Sequence, residues 1–246
     1  MPSPIRFHLS LVGAARQWWQ DGIEQHGFWR TLWKFLREVW GFLLESTPER
    51  RRRRYGDVEY DWDYRVDTTS ATISFRDRLL GTFHSPYQAT EPSLFHEMVS
   101  SLNIDYRQFT FLDLGSGKGR TLLMASDYPF RKIVGVELLP ELHRVAEENI
   151  RKYRSGRQKC FALESICADA RQFVLPQEPI VLYLFNPFPE SLLKQVLVKL
   201  EHTIRDGPVS VYVLYHNPLL EPILVKSTVL KKIGGTPQYV VYRSAA

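Results

Sequence analysis

The sequence is poor in the features that define several classes of protein. Only two of its 246 residues are cysteines, Cys160 and Cys167, which excludes a disulfide scaffold and favours a reducing compartment. No run of eighteen or more uncharged apolar residues occurs, so no membrane-spanning helix is predicted. The seven histidines show no metal-ligand spacing with acids or cysteines, and no metal site is expected. The start of the chain has no long apolar core, so we expect no signal peptide and a cytoplasmic protein.

The composition is that of a folded protein with an unusual front end. Hydrophobic residues make up 44% and charged residues 24%, which is ordinary for a globular chain. Residues 1–54 hold ten Lys and Arg against five Asp and Glu, so they carry the whole net charge of +5. All six tryptophans also lie early, at positions 18, 19, 29, 33, 40 and 62.

An amphipathic helix is predicted in this basic, tryptophan-rich part. Apolar residues recur there at helical spacing, at Phe28, Leu32, Phe35, Leu36, Val39 and Leu43. Five consecutive arginines follow, Arg50, Arg51, Arg52, Arg53 and Arg54. Three interpretations stay open: a helix packed on the body of the protein with a solvated arginine run, peripheral attachment to an anionic membrane surface, or contact with nucleic acid or an acidic protein.

An acidic stretch comes next. Asp57, Glu59, Asp61 and Asp63 alternate with aromatic or apolar residues, a pattern that predicts a strand with one acidic face. We expect these acids either to neutralise the arginine run or to receive a cationic substrate.

From Phe109 onward the pattern predicts alternating strands and helices. The predicted strands are apolar runs, as expected when helices cover both faces of a mostly parallel sheet. They cover residues 109–114, 132–137, 161–167, 180–185 and 209–215, followed by a hairpin over 228–233 and 239–242. The sequence therefore predicts an α/β fold.

A glycine-rich stretch, Asp113-Leu-Gly115-Ser116-Gly117-Lys-Gly119, follows the first of these strands and opens a helix. Such glycines let a ligand approach the backbone, beyond the carboxyl ends of the strands where open parallel sheets bind ligands. The spacing is not the Gly-x-Gly-x-x-Gly of dinucleotide sites, and a carboxylate two residues before the first glycine would repel a pyrophosphate. The stretch therefore favours S-adenosylmethionine, which has a sulfonium and an amino acid but no phosphate.

Polar side chains also end the later strands. Glu137 ends the second strand, where a carboxylate can accept hydrogen bonds from both ribose hydroxyls. Asp169 follows the third strand and can accept from an adenine amino group, and Asn186 ends the fourth. In a parallel sheet all three face the same crevice.

Together, in strand order, the glycine-rich stretch and these three residues resemble the class I S-adenosylmethionine-dependent methyltransferases. The resemblance runs from about Tyr87 to the C-terminus and implies a Rossmann-like, seven-stranded sheet of order 3-2-1-4-5-7-6 with an antiparallel last strand. It implies that the glycine-rich stretch surrounds the methionine part, that Glu137 binds the ribose and that Asp169 and Ala170 border the adenine. The cofactor residues expected on this basis are Asp113, Gly115, Ser116, Gly117, Gly119, Glu137, Leu138, Asp169, Ala170 and Asn186. We predict an N-terminal extension over residues 1–84 and a methyltransferase domain over residues 85–246.

Two short matches bear on the methyl acceptor. Asn186-Pro187-Phe188 resembles the Asn-Pro-Pro-aromatic motif of amino-group methyltransferases, although one proline is missing. In that motif the Asn positions the amine and the aromatic ring packs on it. Tyr87 and Thr90, ahead of the glycine-rich stretch, resemble the same region of non-SET histone-lysine methyltransferases, although Gln88-Ala89 departs from the family's Gly-Glu.

The resemblance thus implies Asn186 and Tyr87 as catalytic residues, Thr90, Pro187 and Phe188 as substrate residues, and a protein lysine as acceptor. RNA and small molecules stay open as acceptors. A catalytically silent, cofactor-binding docking module is the alternative from a different class, and a nicotinamide dehydrogenase is a more distant one.

Overall fold

The computed structural model describes residues 16, 19, 20, 23, 24, 27–45, 58–69, 89–185, 189–207 and 209–245, and for residues 38–45 and 58 the backbone alone. The chain divides into two compact units, one formed by residues 1–55 and 73–87 and the other by residues 56–72 and 88–246. The predicted domain boundary between residues 84 and 85 stays a prediction. Residues 56–72, which the prediction assigns to the N-terminal extension, belong to the second compact unit.

The first unit contains the predicted amphipathic helix, α1, which spans Phe28–Glu45. Trp19 packs edge-on against Phe28 and Phe35 of this helix, with ring centroids 6.0 and 5.9 Å apart. Trp29 and Trp33 are 77% and 65% exposed. None of the helices in the described part of the chain is long and apolar enough to cross a membrane.

The second unit alternates strands and helices, as the apolar runs of the sequence predict. Its helices are α2 (Val58–Tyr64), α3 (Pro92–Ser100), α4 (Arg120–Ala125), α5 (Pro140–Lys152), α6 (Glu190–Asp206) and α7 (Glu221–Leu224). Its strands are β1 (Thr110–Leu114), β2 (Lys132–Glu137), β3 (Leu163–Cys167), β4 (Ile180–Phe185), β5 (Val211–His216), β6 (Leu230–Gly235) and β7 (Tyr239–Ser244). The predicted bounds of β2 and β4 are correct to the residue.

The seven strands form one sheet in the order β3-β2-β1-β4-β5-β7-β6, which confirms the predicted order. β1 to β5 pair in parallel, and β7 runs antiparallel to both β5 and β6. The chain order reverses between β1 and β4, so ligands are expected beyond the carboxyl ends of these two strands.

Apolar side chains fill both faces of the sheet. Along β4, Leu182 and Leu184 belong to the cluster on one face, whereas Val181 and Tyr183 belong to the cluster on the other. Burial on both faces explains why the central strands are continuous apolar runs rather than alternating ones. β3, at the edge, is only half-buried, and its last residue, Cys167, is exposed.

The predicted acidic strand is wrong, because Val58–Tyr64 forms the helix α2. Acids that alternate with aromatic residues have the period of two that is typical of a strand. The segment nevertheless forms a helix, in which Asp61 contacts a residue far away in the sequence. Asp61 lies in the first turn of α2, where a carboxylate is favourable, and pairs with Arg120 of α4. Asp57 and the arginine run lie outside the described residues.

Candidate active site

The glycine loop (residues 115–119) lies between the carboxyl end of β1 and α4. Gly115, Gly117 and Gly119 have φ angles of 91°, 54° and 83°, in the left-handed region that side chains disfavour. A Cβ on Gly119 would also lie 3.2 Å from the Cβ of Ala146 in α5. The Gly115 N–H donates to the Val136 carbonyl at 2.8 Å, so the loop turns tightly over the end of β2.

Glu137, the last residue of β2, is joined directly to this loop. Its Oε2 accepts a hydrogen bond from the Gly117 N–H at 2.8 Å, and its Oε1 accepts one from the Leu139 N–H at 2.8 Å. Burial raises the pKa of this carboxyl, and the backbone donors of Leu139 and Gly117 oppose the rise. Each carboxylate oxygen keeps acceptor capacity beyond its one N–H partner, which suits a ligand with hydroxyl groups.

Asp113 supplies a second buried carboxyl at the end of the neighbouring strand β1. Its side chain accepts a hydrogen bond from the hydroxyl of Thr121 in α4. Burial raises the pKa of Asp113 to about 7, the Thr121 hydrogen bond lowers it and the charge of Glu137 raises it further. A cation bound nearby would stabilise the charged form, so two adjacent acids favour a cationic ligand.

Lys118, the one basic residue of the glycine loop, contacts the segment over residues 67–69. Lys118 is only 2% exposed, and its Nζ donates to Asp67 Oδ1 at 2.8 Å and to the Thr69 carbonyl at 2.9 Å. A pyrophosphate would therefore meet two carboxyls and no lysine, and the loop does not fit a phosphate-bearing dinucleotide. A ligand with a positive centre and free hydroxyls fits the same residues.

The predicted adenine residues follow β3. The Ala168 N–H donates to the Glu137 carbonyl at 3.0 Å, which brings the start of this segment to the end of β2. Asp169 accepts hydrogen bonds from the backbone N–H and the Nε of Arg171, both at 2.8 Å, whereas Ala170 is buried. Asp169 is thus engaged by its own neighbour, and its role toward a ligand stays a prediction.

A buried chain of polar side chains lies at the carboxyl ends of β4 and β5. Thr90 Oγ1 lies 3.0 Å from the Tyr183 hydroxyl, which lies 2.9 Å from His216 Nδ1. The His216 ring stacks on Phe185 with centroids 3.9 Å apart. Burial lowers the pKa of His216 to about 4, and the charge of Glu91 opposes this, so the imidazole is neutral at pH 7.

The structure thus brings Thr90 to the end of β4, beside two residues that the sequence analysis did not single out. Tyr183 lies within the apolar strand β4 and His216 ends β5. Their polar side chains near the ligand-binding edge of the sheet are the feature of the sequence that could have identified them. Tyr87, Asn186, Pro187 and Phe188 lie outside the described residues. In the described part of the chain, no group of three or more His, Cys, Asp or Glu side chains is arranged to hold a metal ion.

Residues 58–69, which we call the strap, pack against the glycine loop from the side of α4 and α5. Arg120, the residue after the loop, is 2% exposed and donates from Nε to Thr68 Oγ1 at 2.6 Å. Asn149 of α5 donates from Nδ2 to the Lys118 carbonyl at 2.9 Å and to the Asp67 carbonyl at 2.8 Å. The strap, the loop and α5 therefore form one hydrogen-bonded assembly.

Residues 82–173 match the family model described as histone methylation protein DOT1. No curated protein matches the chain in sequence. Among solved structures, an RNA methyltransferase from Salinibacter ruber in complex with S-adenosyl-L-homocysteine is 18% identical, covering 64% of this chain and 92% of that one, with a TM-score of 0.45. A dimethyladenosine transferase from Plasmodium falciparum is 13% identical, with 64% and 62% covered and a TM-score of 0.45. A precorrin-6y C5,15-methyltransferase from Geobacter metallireducens GS-15 is 12% identical, with 64% and 90% covered and a TM-score of 0.46.

Proposed function

We propose that this chain is a class I S-adenosylmethionine-dependent methyltransferase and that it transfers the methyl group of S-adenosylmethionine to the side-chain amine of a protein lysine. The observation that carries the choice of acceptor is the match of residues 82–173 to the histone methylation family. The polar chain from Thr90 through Tyr183 to His216 supports it, because it lies at the carboxyl ends of β4 and β5, the edge at which open parallel sheets bind ligands.

The cofactor fits the acidic character of the glycine-loop site. We propose that Asp113, Gly115, Ser116 and Gly117 hold its amino-acid part, since a buried carboxyl beside exposed backbone suits an ammonium group. Glu137 accepts from the ribose hydroxyls with the acceptor capacity that its contacts to Gly117 and Leu139 leave.

The remaining contacts concern the adenine. Leu138 and Ala170 supply the apolar border, and Gly119 completes the turn of the glycine loop. Asp169 accepts from the adenine amino group if Arg171 shares it, because a carboxylate has room for more than the hydrogen bonds that Arg171 makes.

When bound, S-adenosylmethionine supplies a methyl group already activated by its positive sulfur. The residues of the chain therefore need to align the acceptor and leave its lone pair free, rather than to cleave a strong bond. We propose that Asn186 and Tyr87 position the amine and that Thr90, Pro187 and Phe188 line its approach. His216, neutral at pH 7, adds no positive charge that would repel an amine substrate.

Transfer of labelled methyl groups tests this proposal. The full chain is incubated with tritiated S-adenosylmethionine and a cell extract, and the products are divided into protein, RNA and small-molecule fractions. We expect label in protein, recovered as methyl-lysine after acid hydrolysis. Glu137→Ala should lose the activity, whereas Glu141→Ala, which removes an exposed acid at the start of α5, should keep it.

Each other outcome has a defined meaning. Label confined to RNA or to a small molecule assigns the corresponding acceptor and contradicts the lysine proposal. Absence of label from every fraction, with S-adenosylhomocysteine still bound, supports the docking module instead.

A further inference from the structure

Two buried cations flank the last glycine of the glycine loop. Lys118 and Arg120 are each 2% exposed, and their side chains contact residues of the strap. Burying a charged side chain is costly unless it is paired and hydrogen-bonded. Their partners therefore show what holds this end of the loop in place.

The strap supplies the partners that the structure gives for both side chains. Lys118 Nζ binds Asp67 and the Thr69 carbonyl, and Arg120 binds Thr68 and lies 3.4 Å from Asp61 Oδ1. The Arg120 guanidinium also lies 4.9 Å from the ring centroid of Tyr60. All these partners precede the predicted methyltransferase domain, which was expected to begin at residue 85.

Asp61 organises the strap itself. Its Oδ2 accepts hydrogen bonds from the backbone N–H groups of Thr68 at 2.7 Å and Thr69 at 2.9 Å, and its Oδ1 accepts from the Thr68 hydroxyl. The same carboxylate thus fixes the strap and meets the cation of α4. An amide at this position could not replace all of these acceptor contacts, because one of its two polar atoms is a donor.

The opposite end of the assembly leads to the cofactor residues. The Asn149 side chain donates to the carbonyls of Lys118 and Asp67 and accepts from the Asp67 N–H. The residue before Lys118 is Gly117, whose N–H binds Glu137. A short connected path therefore runs from the strap through Lys118 to the carboxyl that we assign to the ribose.

We propose that Asp61 and Asp67 are positioning residues for the cofactor: they hold Lys118 and Arg120, and so keep the glycine loop in its cofactor-binding conformation. The inference rests on the proposed function for the identity of the cofactor. Neither acid is required to touch it. The strap is accordingly part of the cofactor-binding domain, although Asp61 lies 59 positions ahead of its partner Arg120 in the chain.

The affinity of the full chain for S-adenosylhomocysteine, measured by calorimetry well below the unfolding temperature, tests this proposal. Asp61→Asn should weaken binding by roughly 5- to 150-fold, the usual range for coupled sites. Asp63→Asn makes the same change of charge at an exposed position of the same helix and should leave the affinity unchanged. Equal affinity of the folded Asp61→Asn variant and the unsubstituted protein would overturn the proposal.

Hydrogen exchange on the unsubstituted protein separates positioning from simple stabilisation. Coupling between two sites is reciprocal, so bound S-adenosylhomocysteine should slow exchange of the Thr68 and Thr69 amides that Asp61 holds. Unchanged exchange at these amides contradicts the proposal even where Asp61→Asn fails to fold. Failure of the unsubstituted protein to bind S-adenosylhomocysteine would instead contradict the proposed function, so the two failures are distinguishable.

Discussion

Protonation of His216 should destabilise the fold as the pH falls. Its pKa is about 4 in the folded chain and 6.5 when unperturbed, because burial opposes the charged imidazolium more than Glu91 favours it. The unfolded chain therefore binds a proton in a range where the folded chain does not. The stability from neutral His216 is fully present above pH 6.5 and is lost progressively as the pH falls towards about 4. At 1.36 kcal/mol for each pH unit, the loss is at most about 3 kcal/mol.

The substitution His216→Phe isolates this effect. It keeps a ring to stack on Phe185 but removes the titrating group and the hydrogen bond to Tyr183. Loss of the hydrogen bond lowers the free energy of unfolding by about 1 kcal/mol at every pH. Loss of the titrating group changes only how steeply the free energy of unfolding depends on pH. Acids that do not interact with His216 titrate alike in both proteins, so their contributions cancel in the difference.

Urea unfolding of both proteins, at a series of pH values between neutral and about pH 4, measures the slope. The unsubstituted protein should lose more stability over this range than His216→Phe, by up to about 3 kcal/mol. Parallel pH profiles for the two proteins would refute the assignment of a buried, neutral His216.

Three further predictions concern the cofactor site. Gly135→Ala should lower the unfolding free energy by about 1–3 kcal/mol in denaturant titrations, because the new Cβ would lie 2.6 Å from Ser116 Oγ and 2.6 Å from a Leu122 methyl carbon; an unchanged midpoint would contradict this packing. Gly119→Ala should lose about 1–2 kcal/mol by the same measurement, since its φ is 83°, and equal stability would show that the loop adapts. Calorimetry should show tighter binding of S-adenosylmethionine as the pH rises through about 7, where Asp113 loses its proton and attracts the cation, and a flat profile in Asp113→Asn; the same slope in both would exclude Asp113.

Most of the sheet could be predicted from the sequence because its signals are local. Strands β2 and β4 are apolar runs bounded by charged residues, turns or glycines, and both were predicted to the residue. The order of the seven strands came from the resemblance that the glycine-rich stretch supports, and the structure confirms it. Helix α2 was missed because its acids and aromatics alternate as in a strand, while the contact that decides it, between Asp61 and Arg120, joins positions far apart in sequence.

Some contacts of the candidate site could be predicted from the sequence, whereas others depend on the fold. The proximity of Glu137 to the glycine loop follows from parallel neighbouring strands, and the hydrogen bond to Gly117 agrees with it. The contact between Tyr183 and His216 depends on the register of β4 and β5, and the contact between Tyr183 and Thr90 depends on how the segment before α3 packs. Neither is visible in the spacing of residues along the chain. Lys118 lies within the glycine-rich stretch but is buried against the strap, a contact that only the fold reveals.

Calorimetric titration with S-adenosylhomocysteine shows whether the glycine loop and Glu137 bind S-adenosylmethionine. Glu137→Gln keeps the size of the side chain but replaces one acceptor oxygen with an NH2 donor. The single remaining oxygen cannot accept from both the Gly117 and Leu139 N–H groups and also from the ribose hydroxyls. We predict saturable binding to the unsubstituted chain and a loss of affinity of roughly tenfold or more in the variant, about the effect of one hydrogen bond to a charged group. Equal binding by the two proteins would exclude Glu137 from the cofactor site, and no binding by the folded unsubstituted chain would exclude S-adenosylmethionine as the cofactor.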